Sequence, residues 1–199
     1  MSRQLAQPVM NDLLAMLEHY ESLHDGKLLP NRLTPQMDAG GLWTEGYGQL
    51  VLDANSQPLK GYEHRSNALV CSKITNKEEA LTALGIRLGQ TVNALDNLTT
   101  GKLTDAQLAA VSDFAYNVGI GGFESSTIYR LLKAGTPENI TFDNFKSWDE
   151  GTDMSGKKII EDGLIARRAS EWSMFTGKGF IVYTCTHEIL SPAIDIETV

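Results

Sequence analysis

The chain has 199 residues, 17 Lys plus Arg against 25 Asp plus Glu, and a formal net charge of -8. That length fits one domain, or one domain with a small lobe, and buries a sizeable core. The acidic balance argues against a general nucleic-acid binder. Cys71 and Cys185 stand far apart with no CxxC or Cys/His spacing, so neither a zinc site nor a disulfide framework is indicated. No apolar run approaches the roughly 18 residues that span a bilayer, and the N-terminus, interrupted by Asn11, Asp12 and Glu18, reads as neither membrane span nor export signal.

Along the chain, Leu13, Leu14, Leu17 and Tyr20 recur at helical spacing and predict an amphipathic opening helix. From there to about Cys71 the texture turns to glycine, proline and short alternating runs. Residues 43–51 and 57–60 predict a small sheet, with the turn chemistry of DANSQP, residues 53–58, between them. Helices then return. Thr75 and Glu78 fit a capping box before a long stripe from Ala80 to Leu98, and Thr104 and Gln107 fit another before Leu108, Val111, Phe114 and Ala115. Residues 119–122 should end that helix at a bend, and Ser125 or Ser126 should cap the next. Further helices fit residues 142–148 and 161–175, and FIVYTC in residues 178–199 fits a strand. The expectation is one main domain over residues 1–177, its sheet lobe at about 22–72, followed by a C-terminal extension.

The stretch DAGGLWTEGYGQ, residues 38–49, crowds glycines around Asp38, Thr44 and Tyr47. Glycine loses the most backbone freedom on folding, so such a cluster marks tight turns or a close approach. Glu21 falls at the end of the first helix. A helix terminus and an adjacent glycine-rich sheet suit opposite walls of a cleft. Inverting cleavage of a glycosidic bond needs a carboxylic acid to protonate the leaving oxygen and a carboxylate to activate water. Glu21 and Asp38 suit these roles, and a threonine hydroxyl at Thr44 accepts from or donates to that water. Taken singly, each also fits a bland role: a solvated helix-end glutamate, a turn aspartate, a β-branched strand residue. The four histidines, His19, His24, His64 and His187, show no metal spacing and read as surface or structural. Gly46, Gly48 and residues 119–122 lack the lysine of a phosphate loop.

Four segments, in order, resemble the phage-type lysozymes, or endolysins, of glycoside hydrolase family 24: HYES at residues 19–22, GLWTEGYG at 41–48, FAYNVGIGGFESST at 114–127, and FKSWDEG with GLIARRASEWSMF towards the C-terminus. The resemblance implies an α+β lysozyme-like fold, mainly helical, with a small N-terminal sheet lobe joined by a long helix to a helical lobe and the active-site cleft between them. It implies hydrolysis of the β-1,4 bond between N-acetylmuramic acid and N-acetylglucosamine in peptidoglycan, without metal or other cofactor. Glu21 matches the acid, Asp38 the second carboxylate and Thr44 the water-placing threonine. Asn117 matches a sugar-facing amide and Arg167 the arginine paired with the glutamate, while Tyr47 and Trp148 are candidates to stack on sugars.

Two departures stand out. Ser22 replaces the usual glycine, and 22 residues separate Glu21 from Thr44, longer than in compact members. An irregular insertion over residues 23–37 follows, with Asp25 as a rival carboxylate and Glu45 expected on the opposite strand face from Thr44. Lys146, Lys157, Lys158, Arg167 and Arg168 are expected to offset the acidic charge. The resemblance further implies a monomer made in the host cytoplasm that reaches the wall in the periplasm with help from a holin. The alternatives are a non-catalytic wall-binding or virion component of the same fold and a lytic transglycosylase.

Overall fold

The opening apolar stripe folds as α1 (Gln7–Tyr20), burying Leu13, Met16 and Leu17. Pro8 stands in its first turn, where the missing N–H costs no helical hydrogen bond. The computed structural model describes residues 3–38, 40–99, 102–152 and 158–193. They gather into two units: one is Leu17–Arg87, and the other takes the described residues before Leu17 and those from Leu88 onward. This boundary lies outside the span of about 22–72 expected for the sheet lobe, because the end of α1 and the residues from 73 to 87 belong to the first unit.

The first unit holds an antiparallel sheet of β1 (Gln36–Met37), β2 (Trp43–Glu45) and β3 (Gln49–Leu50), in that order. Trp43 pairs with Met37, and Thr44 pairs with Gln36 on one side and Leu50 on the other. Single bridges, Leu42 to Lys60 and Leu52 to Pro58, extend the pairing. The expected turn between them is organised by Asp53, whose Oδ1 accepts from the backbone N–H groups of Asn55 and Gln57 at 2.8 Å each. Trp43, Val51, Leu59 and Ala68 form the core of this unit, with Leu28, Met37 and Cys71 packed on it. Trp43 is nearly enclosed, so its indole N–H is satisfied by the Gly61 carbonyl at 2.8 Å. Ala68 belongs to α2 (Arg65–Cys71), a short helix that sequence pattern did not signal. Gly46 has φ +56°, and a Cβ there would meet Ile74 Cδ1 at 2.8 Å. Both turn conformation and close packing therefore demand glycine.

α3 (Lys77–Leu98) starts one residue later than the sequence suggested. Asn76 Oδ1 accepts from Glu79 N at 2.9 Å, and Glu79 Oε2 accepts from Thr75 N at 2.7 Å. Glu79 thus takes the place expected of Glu78. In the second unit α4 (Asp105–Ser125) has the anticipated capping box between Thr104 and Gln107. Gly119, at φ +80°, kinks the helix, which resumes rather than ending there. α5 (Thr127–Ala134) is capped by Ser126, whose Oγ accepts from Tyr129 N at 3.1 Å. α6 (Phe142–Lys146) and α7 (Asp162–Phe175) complete the helices. Phe114 is the centre of an edge-to-face cluster, 5.7 Å from the ring centres of both Phe145 and Trp148.

Two hairpins were not anticipated as such. β4 (Glu150–Thr152) pairs with β5 (Lys158–Ile160). In the C-terminal extension β6 (Tyr183–Thr186) pairs with β7 (Ile189–Pro192), giving two strands where FIVYTC suggested one. The turn residues His187 and Glu188 both have positive φ and donate backbone N–H groups to the Asp162 carboxylate at 2.9 and 3.0 Å. Ser170 Oγ donates to Ile181 O at 2.7 Å, holding the extension against α7.

Four charged side chains are buried between α4 and α7: Asp113, Arg167, Arg168 and Glu171. Arg167 grips Asp113 with two N–H groups, Nε to Oδ2 at 2.9 Å and Nη2 to Oδ1 at 3.0 Å. Arg168 Nη2 lies 2.9 Å from Glu171 Oε1 and donates to Asn117 Oδ1 at 2.7 Å. Burial opposes ionisation of Asp113, but Arg167 overcomes it and holds that carboxyl below its ordinary range. Burial, with the Asp113 charge adding to it, pushes Glu171 well above the ordinary range despite Arg168. The two carboxyls are thereby shifted in opposite directions.

Asp113→Asn should cost about 3–5 kcal/mol, because it strands a buried guanidinium. Glu171→Gln should gain on wild type as pH rises above the ordinary glutamate range. There the unfolded chain has lost the proton that the fold retains, so wild-type stability falls while that of the variant does not. Denaturant titrations across pH check both, and a constant difference between Glu171→Gln and wild type would contradict the assignment of the proton.

Candidate active site

Glu21 is the first residue past α1, half-buried, and its N–H still closes the last helical turn on Leu17 O at 2.8 Å. Three residues on, His24 N donates to Gly46 O at 2.8 Å, a one-residue bridge that joins the chain leaving the helix to the turn after β2. The His24 ring completes the join, with Nδ1 2.7 Å from Thr44 Oγ1. Glu21 is therefore attached, through a short segment, to the strand that carries Thr44.

Asp38 follows β1 and closes the connection to β2. Its N–H donates to Leu42 O at 2.8 Å, its Oδ1 accepts from Leu42 N at 2.9 Å, and its carbonyl accepts from Gly41 N at 3.0 Å. Side chains alternate along a strand, and partners directly opposite share a face. Gln36 and Thr44 are such partners. Asp38, two residues beyond Gln36, stands at the turn of the hairpin, where its Oδ1 is held by Leu42 N. Met37 and Trp43 occupy the other face and pack into the core. The hairpin thus carries Asp38 at its turn and Thr44 in β2 while anchoring itself by an indole.

Thr44 is 4% exposed, and its hydroxyl donates to Gln36 O at 3.1 Å. Glu45 faces the other way, as the alternation requires. Its Oε2 accepts from Ser72 Oγ and Lys73 N at 2.8 Å each and from Ile74 N at 3.0 Å, tying β2 to the segment between α2 and α3. Asp25 has a similar structural role in residues 23–37. Its Oδ1 accepts from Lys27 N at 3.0 Å and from Thr34 Oγ1 at 3.1 Å. The hydrogen bond from the Lys27 backbone, followed by those from Thr34, holds its carboxyl below the ordinary range against a smaller opposing effect of desolvation. The insertion is a cross-tied loop.

Tyr47 is buried at 4% exposure, with desolvation and then the Glu18 charge raising its phenol above the usual range, so it packs rather than offering a ring face. Asn117 is exposed and its amide oxygen accepts from Arg168. Trp148 is half-buried on Phe114. Asn117, Trp148 and Arg167 all belong to the second unit, whereas Glu21, Asp38 and Thr44 belong to the first. The carboxylate gripped by both arms of Arg167 in its own unit, Asp113, escaped the sequence reading. Its signal was an acid in the apolar stripe of α4.

The expected offset of the acidic charge needs correction. Arg167 and Arg168 are buried and their charges face Asp113 and Glu171, while Lys158 pairs with Glu150 at 3.1 Å. Lys157 lies outside the described residues. Among the described residues no group of three or more His, Cys, Asp or Glu side chains is arranged to hold a metal ion, and both cysteines carry free thiols. No described helix is long and apolar enough to cross a membrane.

A small antiparallel sheet with Thr44 in its central strand, within a mainly helical chain, gives an α+β protein of lysozyme-like fold. The solved endolysin of Escherichia coli O157:H7 phage FAHEc1 has this fold, matching with a TM-score of 0.64 at 22% identity over 90% of this chain and 98% of that one. The phage lysozyme family profile matches residues 30–171, and the chain belongs to that family. An endolysin of Bacillus phage B103 is 31% identical over 115 residues, 58% of this chain and 41% of its own length. An endolysin of Acyrthosiphon pisum secondary endosymbiont phage 1 is 26% identical over 162 residues, 81% of this chain and 93% of its own. The chain thus spans less than half the length of the Bacillus phage relative. Asp38 and Thr44 fall inside the matched family segment and Glu21 precedes it.

Asp25→Ala should free residues 25–34 without disturbing β2. Backbone hydrogen exchange should accelerate at Lys27 and Thr34 and stay unchanged at Trp43 and Val51. Acceleration throughout the sheet would show that the loop supports the core and not only itself.

Proposed function

We propose that this chain is an endolysin-type muramidase that hydrolyses the β-1,4 bond between N-acetylmuramic acid and N-acetylglucosamine in peptidoglycan. The observation that supports the reading is the β1–β2 hairpin, with Asp38 at its turn and Thr44 in its central strand, and the segment following Glu21 tied to that hairpin through His24. Glu21 gives its proton to the leaving glycosidic oxygen as the bond to the anomeric carbon breaks. Asp38 takes a proton from water, whose oxygen forms the new bond to that carbon. Glu21 ends ionised and Asp38 protonated, so one proton returns through solvent before the next turnover. Thr44 holds the water in line.

Family membership supports a glycoside hydrolase, and the endolysin relatives support the bacterial wall as its substrate. Synthesis in the host cytoplasm, action in the periplasm and passage by way of a holin belong to the same proposal. Proton transfer and charge stabilisation carry the reaction, with no role assigned to a cofactor.

Glu21→Gln and Asp38→Asn should each lower product release from purified peptidoglycan by about 100-fold or more, the usual scale for losing one acid or base. Asp25→Asn should retain activity. Mass spectrometry of the products identifies the reaction: reducing muramic ends support hydrolysis, and anhydro-muramic ends would replace it with a transglycosylase. Wall binding without any release would leave a non-catalytic wall-binding protein.

A further inference from the structure

We propose that His24 is a positioning residue that makes Thr44 a pure hydrogen-bond acceptor towards the attacking water, an inference resting on the muramidase reading above. A threonine hydroxyl has one proton and two acceptor sites. Thr44 Oγ1 lies 3.1 Å from the Gln36 carbonyl and 2.7 Å from His24 Nδ1. A carbonyl oxygen only accepts, so the Thr44 proton goes to Gln36. The contact with His24 is then satisfied only when Nδ1 carries the proton and donates. This selects the Nδ1–H tautomer of the neutral ring, with Nε2 left as an acceptor.

The consequence for Thr44 is chemical. Its proton is committed to the strand and one acceptor site to the imidazole, which leaves one acceptor site for a water. A water that donates one O–H to Thr44 and the other to the Asp38 carboxylate keeps its lone pairs for the anomeric carbon. A threonine that donated to the same water would occupy a lone pair needed for attack. His24 thus fixes both the direction and the polarity of the hydroxyl. Its own position is fixed by the backbone bridge to Gly46, which anchors the residue from which the ring reaches Thr44.

Nothing in the composition or spacing suggested such a role for this histidine. His24 and Thr44 are 20 residues apart, with the cross-ties of Asp25 between them in sequence. The pairing emerges only when the segment after α1 lies along β2.

Two measurements test the proposal. Long-range proton–nitrogen correlation spectra of histidine-labelled wild-type protein, taken under alkaline conditions where the ring is neutral, should show His24 protonated at Nδ1. The resonance is assigned by its loss in His24→Asn. Kinetics on soluble uncross-linked glycan strands should then separate the variants. Asn places an amide donor near the position of Nδ1, Gln nearer that of Nε2, and Leu has none. His24→Asn should stay within about threefold of wild-type kcat, whereas His24→Gln and His24→Leu should lose roughly tenfold or more with KM little changed, the scale set by loss of reactant orientation. Melting temperatures of all three should stay close together, which a merely structural role would not predict alongside that kinetic split.

An Nε2–H tautomer, or wild-type kcat in a folded His24→Leu protein, would overturn the inference while leaving the muramidase intact. Failure of wild type to cleave any glycan strand would overturn the muramidase reading and with it the role of His24. If His24→Leu folds poorly, the wild-type tautomer and the Asn-against-Gln comparison still decide the matter.

Discussion

β2 is buried on both faces, and burial leaves no room for an unpaired polar atom. This constraint organises the first unit. On one face Trp43 enters the core and passes its N–H to Gly61, and the buried Glu45 collects three donors from the segment leading into α3. On the other face Thr44 is covered, so its hydroxyl must be satisfied from Gln36 and His24. A strand of three residues therefore draws together β1, the segment after α1 and the segment after α2. The hydrogen bonds that orient the Thr44 hydroxyl are the same ones that a stable buried strand requires.

The second unit solves a comparable problem differently. Its buried guanidiniums face carboxyls of unequal character: Arg167 holds Asp113 below its ordinary range, while burial pushes Glu171 above it. Replacing such a cluster with apolar residues is often neutral or stabilising, so its presence is weak evidence for stability. Its geometric effect is plainer. The guanidinium of Arg168 reaches Asn117 and lies 4.9 Å over the Phe114 ring, fixing α4 and α7 relative to each other just before the kink at Gly119.

What the sequence made legible follows from the range of each interaction. Helices α1, α3, α4, α5 and α7 announce themselves through apolar periodicity and local caps, because every partner involved lies within a few residues. Even so, Asn76 displaces Thr75 as the cap of α3, since either residue can accept from the first turn and only the approach of Glu79 decides between them. The short helix α2 and the β4–β5 hairpin had too few residues for a period to show. In the extension, Asp162 organises the hairpin turn from more than twenty residues away, a contact that strand propensity does not encode. Arg167 was legible as a residue of consequence, but its grip on Asp113 crosses two helices 54 residues apart. Asp38 and Thr44 stood out as candidates because their hairpin is short and rich in glycine, and the pairing that sets Thr44 opposite Gln36 follows a local rule.

The role of Thr44 shows where local reading stops. From its type alone the hydroxyl both accepts and donates, and either capacity suits a water. Which one is available depends on what the fold has already consumed. The Gln36 carbonyl can only accept, and in the proposed role of His24 the imidazole supplies a proton in return. The capacity left to the hydroxyl is then set by subtraction, from the hydrogen bonds that a buried strand must make before any substrate arrives. The same logic separates the aspartate inside the insertion from the one just after it. Asp25 commits Oδ1 to Lys27 and Thr34, and its carboxylate serves the loop. Asp38 commits Oδ1 to the turn, and Oδ2 keeps its acceptor capacity among the described residues. Of the candidate carboxylate and its rival, the fold ties the rival into its loop and holds the candidate by one oxygen at the β1–β2 turn.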